Sequence, residues 1–66
     1  MIIQLNGKRF ETRDDESVAG LVERLGLRPG MVAVEVNEEV VTRDRRGATL
    51  LREGDQVELV TIMGGG

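Results

Sequence analysis

The sequence contains no cysteine and no histidine. Without thiols the chain can form neither a disulfide nor a thiolate nucleophile, and without imidazole it lacks the commonest general base and metal ligand. These absences argue against a disulfide framework, a zinc site and side-chain catalysis, so we predict a protein that is not an enzyme. The absence of cysteine also suits a reducing compartment, and we expect a cytoplasmic location.

Aromatic side chains and long apolar runs are scarce as well. Phe10 is the only aromatic residue, so the core must be aliphatic and no set of rings is available to stack on bases. Twelve acidic and nine basic residues give a net charge of −3, which argues against a nucleic-acid partner. No apolar stretch approaches the roughly 20 residues of a membrane helix, so no membrane partner is expected.

The chain is short, with 66 residues, and its composition is that of a folded domain rather than a disordered one. We predict one domain over residues 1–63, followed by a flexible tail over 64–66. The tail is Gly64-Gly65-Gly66. Glycine has no Cβ and loses much conformational entropy when it is ordered, so this end is a thin arm tipped by a carboxylate.

Alternating apolar residues predict two strands at the start of the chain. Met1 to Asn6 has period two, Asn6-Gly7 favours a type I′ turn, and Lys8 to Thr12 is the returning strand. An acidic run, 13–16, then precedes a helix. We interpret this run as favourable to the positive helix N-terminus rather than as a metal site.

The helix is predicted from an apolar stripe with helical spacing. Its members are Val18, Leu21, Val22 and Leu25. Ser17 is a suitable N-cap and Gly26 suits the left-handed position after the last turn. Gly20 lies inside the helix, where it costs about 1 kcal/mol relative to alanine.

Three further strands follow the helix. They are 31–37, with alternate valines, a short strand at 40–42, and 56–62, which leads into the tail. A charged loop, 43–47, contains three arginines that could bind an anion, although a solvated loop is the better interpretation. The segment 48–51 returns to the core with one buried leucine, which we take to be Leu50. Gly54 is expected at positive φ in a turn.

The resulting order is β-β-α-β-β-β. One helix with one apolar stripe can cover one face of a mixed sheet, with the first and last strands as parallel central neighbours. This predicts an α+β fold. The predicted core consists of Ile3, Leu5, Phe10, Val18, Leu21, Val22, Leu25, Val34, Val36, Leu50, Val57 and Leu59.

Four segments resemble the ThiS sulfur carriers of thiamin biosynthesis, which have the ubiquitin-like β-grasp fold. They are the opening 1–7, the strand 32–37, the turn 51–57 and the glycine tail. The resemblance covers almost the whole chain. Glu38 departs from it, because the family often has glycine after the asparagine at this turn.

The resemblance implies a chemistry at the tail. A ThiF-type adenylyltransferase would use ATP to adenylate Gly66, a sulfur-donor protein would convert it to a thiocarboxylate, and the thiazole synthase ThiG would accept the sulfur. Gly64 and Gly65 would thread the active sites of these partners. No cofactor is expected on the chain itself.

A docking surface for such partners is predicted on the open face of the sheet. Alternation places Val60 and Ile62 on this face, together with Ile2, Ala33 and, at the tail end, Met63. Two other readings remain open at this point. One is a MoaD-type carrier for molybdopterin synthesis, and the other is a ubiquitin-like interaction module with an inert tail.

Overall fold

The structure is a computed structural model that describes residues 1–62. The predicted tail, 64–66, and Met63 lie outside the described residues. The elements are β1 (Ile2–Leu5), β2 (Lys8–Glu11), α1 (Val18–Arg24), β3 (Val32–Val36), β4 (Glu39–Val40) and β5 (Gln56–Thr61), with 3-10 helices at Pro29–Met31 and Arg43–Ala48. The predicted β-β-α-β-β-β order is confirmed.

The strands form one mixed sheet in the order β2-β1-β5-β3-β4. β1 and β5 are parallel neighbours, and the other pairs are antiparallel. The predicted central pair is therefore confirmed. It is possible because α1 supplies the crossover between the first hairpin and the second half of the sheet.

Local chemistry explains the ends of β1 and α1. Asn6 and Gly7 have φ of 50° and 80°, as a type I′ turn requires. The Ser17 hydroxyl accepts a hydrogen bond from the Gly20 amide at 3.0 Å and caps α1. At the other end, Gly26 has φ of 74°, and the Leu27 amide donates to the Val22 carbonyl at 3.1 Å in a Schellman motif.

The core lies between α1 and one face of the sheet. The buried apolar residues are Ile3, Val18, Leu21, Val22, Val32, Val34, Leu51 and Val57. Five other predicted core residues are partly buried against this cluster, namely Leu5, Phe10, Leu25, Val36 and Leu59. Most of the predicted core is thus confirmed.

Leu50 is the exception, and its prediction is wrong. It is 53% exposed, whereas the neighbouring Leu51 is 3% exposed. The register of this segment is fixed by backbone bonds from Val18 to Thr49 and from Leu51 to Glu16, both 2.9 Å long. Because successive side chains of an extended segment point in opposite directions, only one of the two leucines can face the core.

The charged segment 43–47 also differs from the prediction of a solvated loop. It forms most of the second 3-10 helix, and Arg46 is only 7% exposed. The Arg46 guanidinium donates to the carbonyls of Pro29 at 2.9 Å and Val32 at 2.7 Å. Arg46 therefore satisfies backbone acceptors just before and at the start of β3.

The short strand predicted at 40–42 is also shifted, because β4 spans Glu39–Val40.

Candidate functional site at the base of the C-terminal tail

The chain reaches its C-terminal tail through the central strand of the sheet. β5 lies between β1 and β3, so it is held on both edges. Its pairing with β3 runs from Val36↔Val57 to Val32↔Thr61, and the Ile62 amide still donates to the Met31 carbonyl at 2.7 Å. The backbone is therefore held by hydrogen bonds as far as Ile62, two residues before the predicted tail.

Beyond the end of β1, the side chain of Asn6 forms the hydrogen bonds to the other edge of β5. Its side-chain oxygen accepts from the Leu59 amide at 2.8 Å, and its side-chain nitrogen donates to the Leu59 carbonyl at 3.3 Å. The side-chain amide thus replaces a strand residue. The sequence identifies Asn6 as a turn residue, but no signal in the sequence shows that it also pairs with a strand more than fifty positions away.

An apolar patch covers the outward face of the sheet beside the tail. Val60 is paired with Ala33 in register, and Ile62 is bonded to Met31. Val60 is 56% exposed, Ile62 50% and Met31 42%, while Ala33 is partly exposed. We call these four residues the tail-root patch. Met31 was not among the predicted docking residues; it ends the 3-10 helix before β3, and its backbone bond to Ile62 places it beside that residue.

The structure separates Ile2 from this patch. The parallel pairing Gln4↔Gln56 places Ile2 at the start of β5, where its carbonyl accepts from the Gly54 amide at 2.8 Å. Ile2 shares the outward face but lies roughly 20 Å from Val60 along the strand direction, at about 3.3 Å per residue. The prediction that Ile2 lies beside the tail is therefore wrong. Parallel strands begin at the same end of a sheet, whereas the tail leaves from the other end.

The acidic run before α1 builds a structural ion pair. Glu16 is 8% exposed and accepts from the Arg24 guanidinium at 2.9 and 3.0 Å and from the Arg13 amide at 3.0 Å. Arg24 also lies over the Phe10 ring, 5.4 Å from its centroid. Glu16 therefore ties the loop to the helix. Among residues 1–62, no three potential metal ligands are grouped together.

Gly20 is explained by this loop as well. A Cβ at Gly20 would lie 3.3 Å from the Ser17 hydroxyl oxygen and 3.7 Å from Cγ of Glu16. The glycine thus makes room for the capping loop.

Within residues 1–62, no helix is both long and apolar enough to cross a membrane.

The sheet order and single covering helix define the class of protein. The crystal structure of the thiamine biosynthesis protein ThiS from Geobacter metallireducens matches the chain with a TM-score of 0.82 and 36% identity, over 100% of both chains. The fold is therefore the ubiquitin-like β-grasp, as predicted. Residues 3–66 match the sequence model of the ThiS family, and the chain belongs to that family.

Two relatives illustrate the range of the family. The sulfur carrier protein ThiS of Bacillus subtilis is 32% identical over 66 residues, covering 98% of this chain and 100% of that protein. A thiazole synthase of Magnetococcus marinus is 44% identical over 66 residues, covering all of this chain. The chain spans only 20% of the length of that thiazole synthase.

Proposed function

We propose that the chain is a sulfur carrier of thiamin biosynthesis whose Gly66 is adenylated and then converted to a thiocarboxylate. The observation that carries this proposal is the family match, which extends to residue 66 and so includes the whole glycine tail. The structure supports it because the backbone is hydrogen-bonded through β5 and as far as Ile62, two residues before that tail.

The chemistry explains why a partner must activate the tail. A carboxylate is a poor electrophile with a poor leaving group, and adenylation by a ThiF-type enzyme with ATP supplies a good one. A persulfide of the sulfur-donor protein attacks the carbonyl carbon, and AMP leaves. This step forms a C–S bond and keeps the S–S bond of the persulfide. A thiol then attacks the donor's sulfur, forms a disulfide with it and breaks that S–S bond, so that the outer sulfur remains on Gly66 as the thiocarboxylate.

The chain acts in this scheme as a co-substrate and not as an enzyme. Residues 63–66 can extend at most about 14 Å beyond Ile62, at roughly 3.5 Å per residue. The final three residues lack Cβ atoms, so Gly64 and Gly65 can pass through a narrow channel and present Gly66 to an active site. The tail-root patch, with Met63 following it, docks on the same partner.

The thiazole synthase ThiG is the acceptor of the sulfur in this proposal. Support comes from the thiazole synthases of Magnetococcus marinus and Paramagnetospirillum magneticum, which each contain a region similar to 100% of this chain. A carrier-like segment within the same polypeptide as a synthase suits two functions that must meet at one active site.

Intact mass tests the proposal directly. The purified chain is incubated with a ThiF-type enzyme, ATP and a persulfide donor, and with each component omitted in turn. We expect pyrophosphate release that needs the enzyme and ATP, and a product heavier by the difference between one sulfur and one oxygen atom. A chain that stays unmodified in the complete mixture would be a binding module with an inert tail. Transfer of the sulfur to molybdopterin synthase instead of thiazole synthase would assign the carrier to the other pathway.

A further inference from the structure

The outward face of β3 and β5 forms a ladder of side-chain pairs that ends at the tail. Glu35 pairs with Glu58, and the next outward pair is Ala33 with Val60. Ile62 and Met31 follow, joined by their backbone bond. Successive pairs on one face are two residues apart, or about 7 Å along the strand. The two carboxylates therefore border the tail-root patch on the side away from the tail.

The Glu35–Glu58 pair is unfavourable in the isolated chain. Directly opposed residues of antiparallel strands have Cβ atoms roughly 5 Å apart, and like charges at this separation repel. Within residues 1–62, the ion pairs are Met1 with Asp14 and Arg24 with Glu16, so neither carboxylate of this pair is neutralised.

The neighbouring positions on the face do not supply a cation. Val40 lies beside Glu35 on β4, and Gln56 precedes Glu58 on β5, where it pairs with Gln4 of β1. The nearest basic residue in the pairing is Arg9, which lies beyond β1 on the edge strand β2. The ladder thus places an uncompensated double negative charge against exposed apolar side chains.

We infer that the carboxylates of Glu35 and Glu58 receive a basic side chain of the adenylating enzyme when the tail-root patch docks on it. This inference rests on the proposed function, because the tail must enter that enzyme. An arginine between the two carboxylates would donate charge-assisted hydrogen bonds to both of them and would remove their repulsion. The charge contact lies at the border of the patch, where it also steers association between the partners.

The inference predicts two effects of opposite direction in one variant. Glu58→Gln keeps the size of the side chain and removes the repulsion, so the melting temperature of the isolated chain should rise. Its dissociation constant for the adenylating enzyme should increase by about tenfold, as expected for the loss of one interaction with a charged group. Glu35→Gln should behave in the same way. The affinity of both variants should also depend less on ionic strength than that of the wild type.

The matched control is Glu11→Gln, which makes the same charge change on the same face. Glu11 lies on β2 opposite Ile2, far from the tail-root patch. Its affinity for the enzyme should remain close to that of the wild type. Binding is measured by calorimetry at two salt concentrations, with the ThiF-type enzyme and separately with the thiazole synthase.

Unchanged enzyme affinity in both Glu35→Gln and Glu58→Gln would overturn the inference, as would a loss confined to the thiazole synthase. A loss equal to that of Glu11→Gln would also overturn it, because it would reflect net charge alone. Adenylation of the wild type at saturating enzyme is measured in parallel. If the wild type is adenylated while these variants bind normally, the inference fails and the proposed function stands; if the wild type is not adenylated, the proposed function itself fails.

Discussion

Among residues 1–62, the positions with positive φ are occupied by glycine, asparagine or aspartate, except Glu38. Asn6-Gly7 and Gly54 occupy positive-φ positions, where asparagine and glycine are favoured. The exception is the turn between β3 and β4, in which Asn37 has φ of 53° and Glu38 has φ of 70°. Glutamate has a Cβ that clashes in this region, so Glu38 is held there against its own preference.

Replacing Glu38 by glycine should stabilise the fold. The left-handed conformation costs a non-glycine residue about 1–2 kcal/mol, part of which is offset because glycine is more flexible in the unfolded chain. We expect a net gain of roughly 0.5–1 kcal/mol in the free energy of unfolding, measured by urea denaturation. The control is Glu39→Gly, whose φ is not positive and which should destabilise the fold. A loss of stability in Glu38→Gly would show that the turn is not strained.

Two other residues could not have been assigned from the sequence. Asn6 replaces a strand residue beside Leu59, and Arg46 donates to the carbonyls of Pro29 and Val32. In both cases the partner is a backbone group distant in sequence, and backbone groups carry no residue-specific signal. Only the assembled fold shows which of several polar side chains reaches them.

At the level of elements, the hydrophobic period identifies the helix and the long strands. The stripe of α1 faces the core as predicted, with Val18, Leu21 and Val22 buried. The hydrophobic period does not identify the buried residue or the strand ends in short segments. Leu50 and Leu51 are adjacent and equally apolar, so the sequence pattern cannot show which is buried. The choice is made by the backbone bonds from Val18 to Thr49 and from Leu51 to Glu16, which fix the register of this segment. The two-residue β4 is too short for a period to locate.

Truncation of the helix stripe should unfold a large part of the population. Leu21 is completely buried, and a large-to-small change in a core costs about 2–5 kcal/mol. A domain of this size has little stability to lose. Thermal and urea denaturation of Leu21→Ala are compared with those of Leu50→Ala, which removes the same atoms from an exposed position. Equal losses in the two variants would contradict the assignment of the core.

At the level of the whole molecule, the topology could be predicted but the position of the docking surface only in part. One helix, one apolar face and a parallel central pair lead to the β-grasp order. The outward faces of the strands follow from alternation, which correctly groups Ala33, Val60 and Ile62. The error at Ile2 arose because alternation gives the face of a residue but not its position along the sheet, which depends on the register between β1 and β5.

The tail-root patch predicts a separation between binding and folding. Val60 is 56% exposed and points away from the core, so Val60→Asp should retain the fold, with a change in stability of about 1 kcal/mol or less. It should nevertheless weaken the complex with the adenylating enzyme strongly. Ile2→Asp is the control, since it changes the same face at the far end of β5. Circular dichroism monitors the fold and calorimetry the complex, and equal affinities for the two variants would place the docking surface elsewhere.

The central claim is that the C-terminal glycine is the working group of the molecule, and deleting it is the most direct test. A chain without Gly66 still ends in a glycine carboxylate but is shorter by about 3.5 Å, and a misplacement of about 1 Å can cost a hundredfold in rate. Gly65→Val keeps the length and adds a side chain that should collide with the channel. Pyrophosphate release and intact mass after sulfur transfer are measured with the ThiF-type enzyme. We predict that both variants fold normally and lose at least a hundredfold in the rate of adenylation; full-rate adenylation and thiolation of the chain lacking Gly66 would contradict the account.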